Sequence, residues 1–169
     1  PVNSANSDGD TPLMLCVKAK TYDYAKALID AGADVFLRNL KGESPLSVAT
    51  VQGVDAMDKI VLASNVLQRD NDGNSIISTA VALRGSPEVI SLVLARGGDP
   101  NVRNNAGDNA LHVAVRNNLE AQGLLLLKAK ADIFAQNVAQ ESPVFLALTA
   151  TDGPYDWFFT PAVMAARDT

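Results

Sequence analysis

Asp8-Gly9-Asp10-Thr11-Pro12-Leu13 decides the fold, because the stretch does not occur only once. It returns as Lys41-Gly42-Glu43-Ser44-Pro45-Leu46, Asp72-Gly73-Asn74-Ser75-Ile76-Ile77, Ala106-Gly107-Asp108-Asn109-Ala110-Leu111 and Ala139-Gln140-Glu141-Ser142-Pro143-Val144. The residues aligned with Thr11 are Ser44, Ser75, Asn109 and Ser142, at spacings of 33, 31, 34 and 33. A period of that size is the mark of a stacked-repeat architecture. A second anchor lies about 22 residues after the first: Ala31-Gly32-Ala33-Asp34-Val35, Arg96-Gly97-Gly98-Asp99-Pro100 and Ala129-Lys130-Ala131-Asp132-Ile133.

Each unit reads as a hairpin turn followed by two short helices. Asp8-Gly9 and Asp72-Gly73 are strong turn dipeptides, the glycine supplying positive φ. Thr11 and its counterparts stand where a side-chain oxygen can accept an orphan helix N–H. Pro12, Pro45 and Pro143 follow at the first helical position, where a missing N–H costs nothing. Cys16, Ala49, Ala80, Ala114 and Ala147 are small enough to let neighbouring first helices approach, which predicts a buried Cys16. The second helix carries apolar residues at helical spacing, as in Ala25, Leu28 and Ile29 or Val89, Ile90, Val93 and Leu94. Gly32 and Gly97 can end it in a left-handed cap.

These units resemble ankyrin repeats. The family pattern GxTPLH is matched best by Gly9 to Met14 and by Gly107 to His112, and the GAD ending by Gly32-Ala33-Asp34. The resemblance implies an all-α solenoid of about five repeats with projecting hairpins. Residues 1–7 form the tail of a preceding repeat, and the repeats span 8–40, 41–71, 72–105, 106–138 and 139–169. Repeats two and five lack the glycine ending, and repeat five has Gln140 at the turn glycine. His112 falls at the family's histidine, which implies a structural hydrogen bond between adjacent turns.

A second-order repeat underlies the first. Under a single shift of 98 residues, Ala33, Asp34 and Phe36 fall on Ala131, Asp132 and Phe134, Glu43-Ser44-Pro45 on Glu141-Ser142-Pro143, and Arg69-Asp70 on Arg167-Asp168. About a quarter of the 71 overlapped residues are identical. A duplicated three-repeat block explains this, and predicts a turn glycine two residues beyond Thr169. The chain opens on Pro1 and is expected to be part of a longer array.

Composition narrows the function. Fourteen Lys and Arg against nineteen Asp and Glu give a net charge of -5. That speaks against nucleic acid and gives no general attraction to an anionic membrane surface. No apolar run reaches the roughly 18 residues that span a bilayer. One cysteine and one histidine rule out a cysteine-based zinc site and most acid–base constellations. Ser44, Ser75 and Ser142 are committed as helix caps, no GxSxG turn is present, and Arg96-Gly97-Gly98-Asp99 ends a helix instead of cradling a phosphate. No catalytic or metal site, cofactor or small-molecule substrate is expected. Five of the nine aromatics, Phe145, Tyr155, Trp157, Phe158 and Phe159, lie within 15 residues. They are expected to pack the outer helix of repeat five rather than form a binding patch. Tyr22 and Tyr24 are expected to be half-buried.

The expected function is non-catalytic protein recognition, as an interaction or scaffolding module. The alternative is the substrate-docking region of an enzyme whose catalytic domain lies elsewhere. The resemblance places partner contacts on the turn tips and the exposed side of each first helix, which together form a concave face. Asp10, Lys18, Lys41, Glu43, Asn74, Leu83, Arg84, Asp108, Arg116 and Asn117 are the candidates, with Lys18, Arg84 and Arg116 as a row of cations. The single cysteine, the absence of Asn-x-Ser/Thr glycosylation sites and the resemblance favour a cytoplasmic location.

Overall fold

A computed structural model of the protein describes residues 1–161. Among them are nine α-helices, one 3₁₀ turn and no strand beyond a single bridge between Arg69 and Ser75. The helices pair in chain order: α1 (Pro12–Ala19) with α2 (Tyr22–Asp30), α3 (Pro45–Gln52) with α4 (Val54–Ile60), α5 (Ile76–Ala82) with α6 (Pro87–Ala95), and α7 (Ala110–Arg116) with α8 (Glu120–Lys128). The helix α9 (Pro143–Leu148) is followed by a 3₁₀ turn at Asp156–Phe159. First helices pack on first helices and second on second, giving two stacked layers. No helix among the described residues is long and apolar enough to cross a membrane.

Local chemistry sets the ends of each helix. Thr11, Ser44, Ser75, Asn109 and Ser142 each hold extended backbone angles and accept the N–H three residues on. First helices close on a left-handed residue, Lys20, Arg84 or Asn118, with φ between 48° and 57°. Second helices close the same way at Gly32, Gly97 and Lys130. At Gly32 the amides of Gly32 and Ala33 turn back to the carbonyls of Ile29 and Leu28, the doubly bonded cap that left-handed glycine allows.

The core repeats with the sequence. Leu13, Leu46, Ile77 and Leu111 are buried in successive repeats, and Ala49, Ala80, Ala114 and Ala147 are fully enclosed between first helices. Cys16, at the same register, is only half-buried, since among the described residues α1 has a first-helix neighbour, α3, on one side only. Tyr22 is half-buried and donates to Gln52 Oε1, but Tyr24 is 70% exposed, because two residues of helix carry it about 200° around α2, to the opposite side.

The two irregular repeats solve the missing glycine ending differently. In repeat two, Gly53 alone joins α3 to α4. Buried Asn65 then replaces the glycine cap, donating to Ile60 O and accepting from the Leu62 amide at 2.7 Å each. In repeat five the aromatic run makes a 3₁₀ turn and not an outer α-helix. Trp157 and Phe158 are buried, with the six-membered ring of Trp157 against Gly123, where an added Cβ would come within 2.5 Å of it. Phe145 stays half exposed. The Arg167-Asp168 match of the duplicated block lies outside the described residues.

Candidate functional site

The hairpins are built on a residue that sequence reasoning passed over. Asn6, Asn39, Asp70, Asn104 and Asn137 recur at the spacings of the caps, 33, 31, 34 and 33. In each, Oδ1 accepts from the backbone amide four residues on, and in all but Asn137 from the amide two residues on as well. The side chain thus mimics a backbone turn and pins the loop. The amide nitrogen is then free to reach the preceding hairpin. Asn39 Nδ2 donates to Asp10 at 2.7 Å, Asn104 Nδ2 to Asn74 at 2.9 Å and Asn137 Nδ2 to Asp108 at 2.9 Å.

Two of these rungs carry an ion network. Between repeats one and two, Lys18 Nζ lies 2.9 Å from Asp10 and 3.1 Å from Glu43, and Asn39 Nδ2 donates to both carboxylates. Between repeats four and five, Arg116 pairs with Asp108 and, at 3.0 Å, with Glu141, and Asn137 Nδ2 again bridges the acids. Each of the four residues differs from its counterpart by 98 in number. The block shift of the sequence is therefore a repeat of chemistry. It extends to the approach strand, where Asn3 Oδ1 accepts from the Asp34 amide as Asn101 Oδ1 accepts from Asp132.

The network polarises its members. Asn39 first, and Lys18 second, hold the Asp10 and Glu43 carboxyls below their usual range, and Asp10 in turn raises the Lys18 ammonium. Burial works to raise Asp108, but Arg116 and Asn137 outweigh it and the carboxyl lies below its ordinary value. Asn137, then Arg116, lower Glu141. His112 is fully buried behind this station. It takes the Asn109 amide at Nδ1 and meets the Glu141 carbonyl through Nε2 at 3.1 Å, the tie between adjacent turns that the resemblance implies.

The candidate residues fall into three groups. Asp10 and Asp108 are 7% exposed and lie beneath their cations, so they brace the face from below and offer it no surface. Lys18, Glu43, Asn74 and Arg116 are engaged in the hairpin networks just described. Lys41, Leu83, Arg84 and Asn117 are exposed. The cations do not form one row: by register the counterparts of Lys18 are Val51, Ala82 and Arg116. Arg84 sits two residues further, at the left-handed close of α5 that Lys20 and Asn118 occupy elsewhere. The open centre of the face is Val51, 85% exposed, and Leu83, 40% exposed, between the two ion networks.

Comparison with known proteins agrees with this architecture. The model of three ankyrin repeats matches residues 46–137, and the single ankyrin-repeat model matches residues 8–40. The chain belongs to the ankyrin-repeat family. Among its curated relatives, the neurogenic locus notch homolog protein 1 of Danio rerio is 32% identical over 150 residues, covering 85% of this chain and 6% of the relative. The human notch homolog is 31% identical over 151 residues, 86% of this chain and 6% of the relative. The nuclear factor NF-kappa-B p105 subunit of Gallus gallus is 32% identical over 153 residues, 86% of this chain and 16% of the relative. The chain thus spans a small part of these longer proteins. Ankyrin repeats are in general protein–protein interaction modules.

Proposed function

We propose that this array binds a partner protein on the concave face formed by the hairpins and the ends of α1, α3, α5 and α7, without catalysing a reaction. The observation that carries this is the exposed apolar centre, Val51 and Leu83, held between two rigid charged stations at Lys18 and Arg116. An apolar middle with a polar rim is how recognition surfaces are built. The side chains there need no rearrangement before contact, because the ion networks fix the helices on either side, and preorganisation lowers the entropic cost of binding. The array serves in this reading as a scaffolding or interaction module, at a cytoplasmic site.

The face is tested by a variant that leaves the networks whole. Val51→Glu, Leu83→Glu and Arg84→Glu together place charge on the open centre and touch no ion pair. In cross-linking capture from a lysate, the wild-type chain retains a protein that this variant loses, with circular dichroism unchanged. Equal capture by both chains rejects the face. Reversing Lys18 or Arg116 is uninformative, since it strands Asp10 or Asp108 in the fold.

A further inference from the structure

Between the second and third hairpins the stitching stops. Hairpins one and two are joined by Leu40 N–H to Asp8 O, three and four by Asn105 N–H to Asp72 O, and four and five by Val138 N–H to Ala106 O. Among the described residues no hydrogen bond joins 34–44 to 69–75. The turn glycines report the same gap. A Cβ at Gly9, Gly73 or Gly107 would meet the next hairpin within 2.8 to 2.9 Å, whereas at Gly42 nothing lies within 4 Å.

The cause is legible in the side chains. The rung would run from residue 70 to Glu43, and residue 70 is Asp where the next hairpins have Asn104 and Asn137. A carboxylate has no proton to donate, and here it would face a second carboxylate. Thr79 adds to the break, standing where Val48, Val113 and Leu146 pack apolar side chains against the core. Its Oγ1 is buried without a hydrogen-bond partner, as is Oε1 of Gln68 in the same junction.

The opening is a cleft of about 450 Å³. Asp34, Asp70 and Asp72 line it against a single cation, Arg38, and none of the four has an ion-pair partner among the described residues. Asp34 and Asp70 spend oxygens on their own loops, but Asp72 accepts nothing with its side chain. Phe36 supplies an apolar wall, and Thr79 lies at the floor.

We infer that this cleft is a receptor for one basic side chain, an arginine or lysine, of the protein bound on the concave face. The inference rests on the interaction reading above and adds the chemistry of the partner. Three carboxylates against one guanidinium leave a net negative well. An aromatic wall takes a guanidinium face or an aliphatic stem. Arginine, with five donors in a fixed fork, fits a site rich in carboxylate acceptors. The missing rung is then retained by function: an amide at position 70 would stitch the hairpins and close the well.

The test uses the whole chain and acetyl-arginine-amide as the probe, followed by amide chemical shifts, with the uncharged isostere acetyl-citrulline-amide as control. Shifts are expected at residues 34–38, 70–72 and 79 with arginine only, at least fivefold weaker in Asp70→Asn and in Asp72→Asn. Asn at 39, 104 and 137 shows that the hairpin accepts the first change. Asp8→Asn removes the same charge from the closed first junction and is expected to leave binding unaltered. Equal response to citrulline, equal loss in Asp8→Asn, or no local response overturns the cleft. Capture through Val51 and Leu83 would survive that failure, and its own loss would leave the arginine shifts in place, so the two readings fail separately.

Discussion

The junction between repeats one and two and the junction between repeats two and three are made from the same parts to opposite effect. In the first, Asn39 donates to Asp10 and Glu43 and Lys18 neutralises both, so two hairpins and a helix are tied into one unit. In the second, Glu43 and Asp70 occupy the matching positions, two acceptors with nothing to exchange, and the hairpins stand apart. The first arrangement reappears 98 residues later with arginine in place of lysine. Stacking of repeats is thus set by the buried apolar layer, whereas stitching of hairpins is set by single polar atoms and varies from junction to junction. A nitrogen-for-oxygen difference at one residue separates a closed surface from an open cleft.

The largest effect is expected from breaking the closed junction between repeats four and five. Asp108→Ala leaves the Nδ2 of buried Asn137 with one acceptor fewer and Arg116 with only Glu141. Removing one partner from a buried charged network costs about 2–3 kcal/mol, well above the net value of an ordinary hydrogen bond. Urea unfolding followed by circular dichroism measures it. A midpoint unchanged from wild type would mean that the ladder is carried by the backbone rung of Val138 alone.

The converse change closes the open junction. Asp70→Asn keeps the loop-pinning oxygen, gives up the bond that Asn74 Nδ2 donates to the second carboxylate oxygen, removes a negative charge from the side of Glu43 and supplies the missing donor, a net gain of up to about 1 kcal/mol. Thr79→Val removes a buried hydroxyl without a partner and restores the apolar contact of its counterparts, for a similar gain. Both follow from unfolding midpoints. A loss of stability in Asp70→Asn would show that the gap is held open by the short helix α4 and not by the pair of acids.

Much of this could be read from the sequence, for a physical reason. Caps, turn glycines and the apolar layer act within one repeat or at a fixed register, so Thr11, Gly9 and Leu13 announce themselves. What escaped depends on pairs in different repeats. Lys18 and Arg116 looked like free contact residues because their acids, Glu43 and Glu141, are 25 residues further along the chain. The ladder residues Asn39 and Asn137 had the signal, a spacing identical to that of the caps, but asparagine before a turn reads as ordinary loop composition. Asn65, standing in for a glycine cap, and the 3₁₀ turn under Trp157 break periodicity and had no template to be read against.

The smallest effect distinguishes the two junctions with ion networks from each other, because only the one between repeats four and five carries a histidine. Burial lowers His112 from its ordinary value of 6.5, outweighing the help of Asp108 at 4.0 Å. A base whose folded-state pKa is depressed takes up its proton more readily when unfolded, so its stabilising contribution is complete above pH 6.5 and declines as pH falls below it. The lowered carboxylates act on a lower window: Asp10, Glu43, Asp108 and Glu141 lose their contribution as pH drops from their ordinary range near 4. Between pH 7 and 5 the slope therefore belongs to the chain's single histidine. His112→Ser, which places there the residue that Ser47 and Ser78 use to bond their own caps, is expected to be less stable at pH 7.5 and flat down to pH 5. The wild-type and variant curves converge as the histidine charges. Parallel curves would place the titrating group outside this junction and leave the two ion networks equivalent in everything but the choice of cation.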